Sequence, residues 1–269
     1  MKLVPPKKVR IFSYNTMSSA LLLETKGLEI TFNQEFISME LLFELESILA
    51  WCTAHTEVKS VLLQTKFDHF LNGFDFDEIK NYDTDKINKM YSKLNNINQA
   101  LILLPQSIVV NMKKGAKNEG LTMALHADIR VASEDAQFQF SQMEYGLMDH
   151  SGLLTNILNK SSHMGLRSLI LSGLTFNFHE LNATGSITFN ESRLEEILKN
   201  SNAQSSLARS QTKCALLGVD ELSKKHNEFV EKLFTTLLHC NDYKREKDFI
   251  NLRDLKSQIQ EEVNSPISQ

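Results

Sequence analysis

The stretch Ile108–Leu154, IVVNMKKGAKNEGLTMALHADIRVASEDAQFQFSQMEYGLMDHSGLL, decides how the rest of the chain is interpreted. A continuous apolar run at Ile108–Asn111 predicts a buried strand, and a Lys/Gly turn follows it. Gly120 then opens an apolar helix that we predict over Leu121–His126. A strand, a glycine turn and a helix N-terminus together direct free backbone N–H groups at a negative charge. The turn before Gly120 is therefore the candidate centre of a catalytic or binding site.

The second part of this stretch predicts another strand over Asp128–Ala132, followed by a polar segment and a loop. The loop holds Asp149, His150 and Gly152. A histidine beside an aspartate can act as a base near neutral pH. Adjacent loop residues rarely point the same way, however, so hydrogen bonds that cap the loop are the alternative role for this pair.

Composition excludes several classes of protein. The chain has 269 residues, of which 42% are hydrophobic and 23% charged, as expected for a globular protein with a sizeable core. A net charge of −4 gives no electrostatic reason to expect a nucleic-acid or membrane partner. The three cysteines form no CxxC pair, which predicts reduced thiols and no metal site. With no signal-peptide pattern and no apolar run of roughly 20 residues, we predict a cytoplasmic protein.

Strands alternate with helices through the first half of the chain. Asn33 is predicted to cap a long helix that follows the opening strands. The continuous apolar run Val58–Gln64 predicts a strand of a parallel sheet that is covered on both faces. A second long helix is predicted over Asp77–Leu104 and is closed by Pro105. This alternation indicates an α/β fold. The three opening strands are predicted at Val9–Tyr14, Ala20–Glu24 and Leu28–Thr31.

The turn after Val58–Gln64 is a second candidate for a directed amide. Its sequence is Phe70-Leu-Asn-Gly-Phe-Asp, and Gly73 permits a positive φ there. The amide of Phe74 can therefore be turned out of the local hydrogen-bonding pattern. Asp75 is interpreted as the residue that fixes this turn.

The second half of the chain is mainly helical, and we predict one α/β core over residues 1–190 with a helical region of the same fold over 191–269. The predicted elements are helices at Leu153–Leu158, Met164–Leu171, Phe178–Ala183, Leu194–Asn200, Ser205–Leu217, Val219–His239 and Phe249–Ile259, with a short strand at Ile187–Phe189.

The order and spacing of these pieces resemble the crotonase superfamily, the enoyl-CoA hydratase/isomerase family. Val58–Asp75 resembles the strand and the F-x-x-G-x-D turn of that family. His126–Phe138, HADIRVASEDAQF, is similar to its C-D-I-R-x-A-x-x-x-A-x-F motif. Gly146 and Gly152 keep its glycine spacing. The resemblance implies a crotonase-like spiral of ββα units with a C-terminal helical trimerisation layer, so that a homotrimer or a dimer of trimers is expected.

The resemblance also implies an acyl-CoA ligand and no separate cofactor. In the family, two backbone N–H groups hold the thioester oxygen as an enolate forms. These oxyanion-hole donors fall on Phe74 and on Glu119, immediately before Gly120, where the family has a run of glycines. The Glu119 carboxylate is a poor neighbour for an enolate unless it points away. The resemblance places further substrate-contacting positions at Asn72, Gly73, Thr122, Gln142 and Gly152.

Departures from the family argue against hydratase chemistry. The two glutamates that hydratases use fall on Thr122 and Gln142, and neither side chain titrates near neutral pH. The family's dienoyl-CoA isomerases place a catalytic Asp at the position of His150, so Asp149 or His150 is the candidate base. Glu144 is interpreted as exposed, and His126 as a core or interface histidine. Three lysines of the loop Met112–Lys117, which are Lys113, Lys114 and Lys117, either contact CoA phosphates or form a solvated basic loop.

Other proteins of this fold carry out two further reactions. The Clp-type protease needs a nucleophilic serine after the glycine turn, and Thr122 does not replace it. Decarboxylases of the fold use a lysine and a C-terminal histidine, for which Lys80 and His239 are the candidates. The leading hypothesis is a thioester-binding protein without hydratase activity, with isomerase, decarboxylase or thioesterase chemistry as its remaining reactions. The rival hypothesis is a non-catalytic scaffold or regulatory partner.

Overall fold

The computed structural model describes residues 8–22, 26–149, 151–152, 164–187 and 189–217. Within these ranges a seven-stranded mixed sheet forms the centre of the protein. Its strands, in spatial order, are β1 (Lys8–Ser13), β2 (Met17–Leu22), β3 (Gly27–Phe32), β4 (Ser60–Thr65), β5 (Ser107–Asn111), β7 (Ile129–Ala132) and β10 (Phe189–Asn190). β1, β2 and β3 pair antiparallel, and the strands from β3 to β10 pair parallel.

A second sheet consists of three short strands. It consists of β6 (Gly115–Lys117), β8 (Gln137–Gln139) and β9 (Phe176–Asn177), with β8 in the middle. The helices are α1 (Met39–Ala54), α2 (Phe76–Ile79), α3 (Thr84–Leu103), α4 (Asn118–Leu125), α5 (Met164–Ser172), α6 (Phe178–Ala183), α7 (Leu194–Ala203) and α8 (Ser206–Leu217). The α/β alternation predicted from sequence is confirmed.

The parallel strands are covered on both faces, as the continuous apolar run in β4 predicts. Val61 and Leu63 on one face belong to the main core, together with buried residues of α1 and α3. Leu62 on the other face packs in a smaller cluster with Ile197 of α7. Because successive side chains of a strand point to opposite faces, a strand buried on both faces has no polar alternation.

Both long helices begin at polar caps. The Ser38 hydroxyl accepts a hydrogen bond from the Leu41 amide and caps α1, so the prediction that Asn33 caps this helix was wrong. Asp83 caps α3 by accepting from the Lys86 amide. The residues between Asn33 and Ser38 form no helical turn, and the Ile37 amide donates to the Gly73 carbonyl in the turn after β4.

The loop predicted at Met112–Lys117 is in part a strand. β6 takes up Gly115–Lys117 and pairs in parallel with β8. Lys113 is also not a freely solvated side chain, because its ammonium group donates to the Phe67 carbonyl. Lys114 keeps an exposed ion pair with Asp68 at 3.7 Å.

α8 is attached to the parallel sheet through a buried cation. The Lys213 ammonium group lies 2.7 Å from an Asp128 carboxylate oxygen and also donates to the carbonyls of Leu101 and Gln106. The same Asp128 carboxylate accepts from the Ile108 amide at the start of β5. Helix α8 and the two central strands β5 and β7 are thereby joined at one point.

Several predicted elements lie outside the described residues. These are Leu153–Leu158, Val219–His239 and Phe249–Ile259, and with them the candidate His239. Among the helices that the structure describes, none has the length and apolarity needed to span a bilayer.

Candidate active site

The turn after β4 positions the first directed amide. Gly73 has φ of +87°, a conformation that L-residues rarely adopt, and it turns the next peptide toward the start of α4. Asp75 then accepts hydrogen bonds from the Asp77 and Glu78 amides and caps α2. The interpretation that Asp75 fixes this turn is confirmed.

The start of α4 lies directly against this turn. The helix begins at Asn118, two residues before Gly120, so the prediction that Gly120 opens it was wrong. A Cβ on Gly120 would lie 2.2 Å from the Leu71 carbonyl oxygen, and the Lys117 amide donates to that same oxygen at 2.9 Å. Only glycine at position 120 allows the two backbones to approach this closely.

The unusual backbone conformation at this helix start falls on Asn118, not on Glu119. Asn118 has φ of +49°, which asparagine tolerates better than most residues. Its side-chain oxygen accepts from the Ser141 amide at 2.7 Å, and its side-chain nitrogen donates to the Asn72 carbonyl at 3.4 Å. Asn118 therefore links three segments, and Glu119 adopts an ordinary helical conformation.

The Glu119 carboxylate lies against the first of the two predicted oxyanion donors. The Phe74 amide donates to Glu119 Oε2 at 3.1 Å. The Tyr91 hydroxyl donates to Glu119 Oε1 at 2.9 Å. The Glu119 side chain is completely buried. The carboxylate thus points toward the Phe74 amide and not away from it.

The pKa of Glu119 is raised to about 7, mainly by burial and next by the negative charge of Asp149. Hydrogen bonds from the two amides and from Tyr91 favour the ionised form and lower this pKa, but they do not outweigh burial. The pKa of Tyr91 is raised by its own burial and by the neighbouring carboxylates, so its phenol remains a donor at neutral pH.

A second buried carboxylate lies near the other end of α4. The Thr122 hydroxyl donates to Asp149 Oδ2 at 2.7 Å, and the amide and hydroxyl of Ser151 both donate to Asp149 at 2.9 Å. Asn98 of α3 fixes the same loop by donating to the Ser151 carbonyl at 2.8 Å. Thr122 and Asp149, two predicted site residues, are therefore in direct contact.

His126 is a core histidine. Its side chain is 3% exposed, and its Nδ1 lies 2.7 Å from the Thr122 carbonyl oxygen, so this nitrogen carries the proton. Burial lowers the pKa of His126, while Asp149 and the Gly152 backbone oppose that shift. Gly152, with φ of +105°, lies in the same loop as Asp149.

The remaining predicted residues are only partly brought together. Gln142 is buried in a single turn of 3₁₀ helix, and its Nε2 has no hydrogen-bond partner among the described residues. Glu144, two residues further on, is exposed, as predicted. Lys80 is exposed and pairs with Asp77. His150 lies outside the described residues.

Sequence reasoning missed Tyr91 and Ser151 as parts of this site. Tyr91 lies within the long helix predicted over Asp77–Leu104, and a buried tyrosine needs a partner for its hydroxyl. That requirement was the available signal, although nothing in the sequence names the partner. Within the described ranges, no group of three or more His, Cys, Asp or Glu side chains is placed to hold a metal ion.

Comparisons with known proteins agree with this architecture. The family model for enoyl-CoA hydratase/isomerase matches residues 28–234. The crystal structure of an enoyl-CoA hydratase from Geobacillus kaustophilus HTA426 is 15% identical, with a TM-score of 0.78 and coverage of 96% of each chain. That of an enoyl-CoA hydratase from Bacillus anthracis is 18% identical, with a TM-score of 0.75 and coverage of 86% of this chain and 91% of that chain. A search of curated proteins gave no match.

The chain belongs to the enoyl-CoA hydratase/isomerase family, and its fold is the crotonase-like α/β fold. The predicted family resemblance is confirmed. At these low identities the solved structures establish the shared fold, and the chemistry of this chain has to be argued from its own residues.

Proposed function

We propose that the protein binds an acyl-CoA or a related thioester at the family's site and has lost hydratase chemistry. The observation that supports binding is a backbone amide directed at an oxygen position at the start of α4. The Phe74 N–H donates to the Glu119 carboxylate there, which supports a frame that would hold a thioester oxygen. The closely packed backbones at Gly73 and Gly120 support the same frame.

Loss of hydratase chemistry follows from the residues at the two acid/base positions. Addition of water to a double bond needs groups that can accept and donate protons near neutral pH. Thr122 instead uses its hydroxyl to donate to Asp149, and Gln142 presents a buried amide. Neither side chain can replace a carboxylate in proton transfer.

Asp149 is the residue we propose as base if the protein retains a reaction. Three hydrogen bonds fix its carboxylate, one from Thr122 and two from Ser151, and fixed orientation is what a general base requires. Isomerisation, decarboxylation or thioester hydrolysis, with Phe74 and Glu119 N–H as oxyanion donors, are the reactions that this arrangement would support.

The second candidate function is that of a non-catalytic scaffold or regulatory partner. One observation favours it specifically: a carboxylate of the chain itself occupies the position that the substrate oxygen needs. A site filled in this way holds no enolate while Glu119 remains in place.

Calorimetric titration of the purified protein with CoA and with butyryl-CoA separates the two candidates. The thioester-binding proposal predicts heat of binding and a dissociation constant below the millimolar range for at least one of the two. No binding of either ligand at millimolar concentration would refute it and leave the scaffold function.

If binding is found, turnover of a small panel of acyl-CoA substrates by the wild type and by Asp149→Asn tests the proposed base. We expect no hydration of crotonyl-CoA by either protein. Any isomerase, decarboxylase or thioesterase rate should fall by about 100-fold or more in Asp149→Asn if Asp149 is the base. Equal rates would remove Asp149 from the mechanism.

We also propose a homotrimer or a dimer of trimers, on the family resemblance alone, and a cytoplasmic location. Light scattering coupled to size-exclusion chromatography tests the assembly, since a monomer in solution would contradict it.

A further inference from the structure

We infer that Glu119 is an internal competitor of the ligand: its carboxylate, held by the Tyr91 hydroxyl, occupies the thioester-oxygen position and must leave before a thioester can bind. This inference rests on the proposed thioester-binding function. It adds a self-inhibitory contact and assigns Tyr91 as the residue that positions the inhibitory group.

The first step of the argument is that the position is physically full. Glu119 Oε2 accepts from the Phe74 amide at 3.1 Å, which is where a thioester oxygen would have to accept. A Cβ built on Gly73 would lie only 2.4 Å from the same Oε2 atom. The carboxylate therefore lies against the backbone of the turn, and a ligand oxygen cannot share this amide with it.

The second step is that both carboxylate oxygens are held, and by different elements. Oε2 is bound by the turn after β4, and Oε1 is bound by Tyr91 of α3. The Tyr91 ring is 4% exposed and packs edge-to-face on the Phe74 ring, with the centroids 5.0 Å apart. The core thus fixes the Tyr91 hydroxyl at Oε1, the Glu119 oxygen that the Phe74 amide does not contact.

The third step is that this contact is displaceable. No lysine or arginine pairs with Glu119 in the part of the chain that the structure describes, so hydrogen bonds alone hold its charge. The other charged group that acts on it, Asp149, repels it, and burial raises its pKa. A buried carboxylate without a cation is weakly held compared with one in an ion pair. Removing one of its neutral donors should therefore increase the fraction of molecules in which the Glu119 carboxylate has left this position.

Tyr91→Phe is the variant that tests this inference, because it removes the hydroxyl and keeps the ring that packs on Phe74. The matched control is Tyr82→Phe, which removes the hydroxyl of another Tyr–Glu pair, with Glu78 on the protein surface. Glu119→Gly restores a glycine and removes the carboxylate altogether. Circular dichroism spectra and thermal unfolding establish that each variant is folded.

Binding of butyryl-CoA and of free CoA is measured by calorimetry for the wild type and the three variants. A hydrogen bond to a charged group is worth about 1.5–3 kcal/mol, so Tyr91→Phe should bind butyryl-CoA about tenfold more tightly or better. Glu119→Gly should bind it more tightly still. Free CoA has no acyl oxygen to compete with the carboxylate, so its affinity should stay within about twofold in all variants, and Tyr82→Phe should match the wild type.

The outcomes separate the inference from the function on which it rests. If the wild type, Tyr91→Phe and Glu119→Gly bind butyryl-CoA equally, the competitor role of Glu119 is overturned and the thioester-binding function stands. If none of them binds butyryl-CoA or CoA at millimolar concentration, both are overturned. If all the proteins bind free CoA but only the two site variants bind butyryl-CoA, the self-inhibitory contact is supported directly.

Discussion

The buried Glu119 carboxyl makes the stability of the fold depend on pH, and Glu119→Gln isolates that dependence. Its pKa is raised from an ordinary value of 4.5 to about 7 in the folded protein. The folded state therefore holds this proton more tightly than the unfolded chain does. The stability that it contributes is fully present below about pH 4.5 and is lost as pH rises through about 7.

The size of the effect follows from the same two values. Each pKa unit corresponds to about 1.4 kcal/mol, so the full difference between 4.5 and about 7 is worth about 3 kcal/mol. The wild type should lose most of this stabilisation, about 2.5 kcal/mol, between about pH 5 and about pH 8. Glutamine has a similar shape and does not titrate, so Glu119→Gln should lack this loss.

Urea unfolding followed by far-UV circular dichroism at a series of pH values measures the difference. The free energy of unfolding of the wild type minus that of Glu119→Gln should fall by about 2.5 kcal/mol from about pH 5 to about pH 8. Glu144→Gln is the control, because Glu144 is exposed and its replacement should leave the wild-type pH profile unchanged. Parallel profiles for the wild type and Glu119→Gln would refute the reasoning that Glu119 is buried as a titrating carboxyl.

Three further substitutions test the contacts around the site. Thr122→Ala removes the hydroxyl that donates to Asp149 at 2.7 Å, so it should lower the free energy of unfolding by about 1.5–3 kcal/mol. Thr122→Ser keeps a hydroxyl and should lose less than half of that. Equal losses in the two variants would mean that the hydroxyl contributes little. Gly120→Ala puts a Cβ 2.2 Å from the Leu71 carbonyl oxygen, so it should cost more than about 3 kcal/mol or give no soluble protein, and a stability near wild type would contradict the close approach. Lys213→Met leaves the Asp128 carboxylate without its buried cation and should lower the free energy of unfolding in urea by about 3 kcal/mol. A loss of less than about 1 kcal/mol would show that this ion pair does not anchor α8.

The fold was predictable because its signals are local. The apolar run of β4, the glycine of the Phe70–Asp75 turn and the Pro105 that follows α3 each fix a backbone conformation without reference to distant residues. The strand pairs β6–β8 and β8–β9 were missed because three-residue and two-residue strands carry too little pattern to be recognised.

The candidate site was predictable in position but not in its contacts. The two amides are predicted at Phe74 and Glu119, and in the structure the Phe74 amide donates to the Glu119 carboxylate at the start of α4. The direction of the Glu119 side chain was not predictable, because it depends on Tyr91, which is 28 residues away in sequence. The positive φ at Asn118 was not predicted, because the helix was expected to begin at Gly120 and it begins two residues earlier.

Glu144 and His126 show that residue type alone does not determine whether a side chain takes part in acid or base chemistry. Both residue types serve as acid or base in other sites. Glu144 is exposed, while His126 is buried and donates to the Thr122 carbonyl, so the fold gives each of them a structural environment that the sequence does not display.

The measurement that tests the central claim most directly is the amide proton resonance of Phe74 in a TROSY spectrum, recorded through the pH range around 7. If this amide donates to the Glu119 carboxylate, its chemical shift should titrate with an apparent pKa of about 7 in the wild type and should not titrate in Glu119→Gln. A Phe74 amide whose shift is independent of pH, and equal in the two proteins, would show that the Glu119 carboxylate does not occupy the oxyanion position.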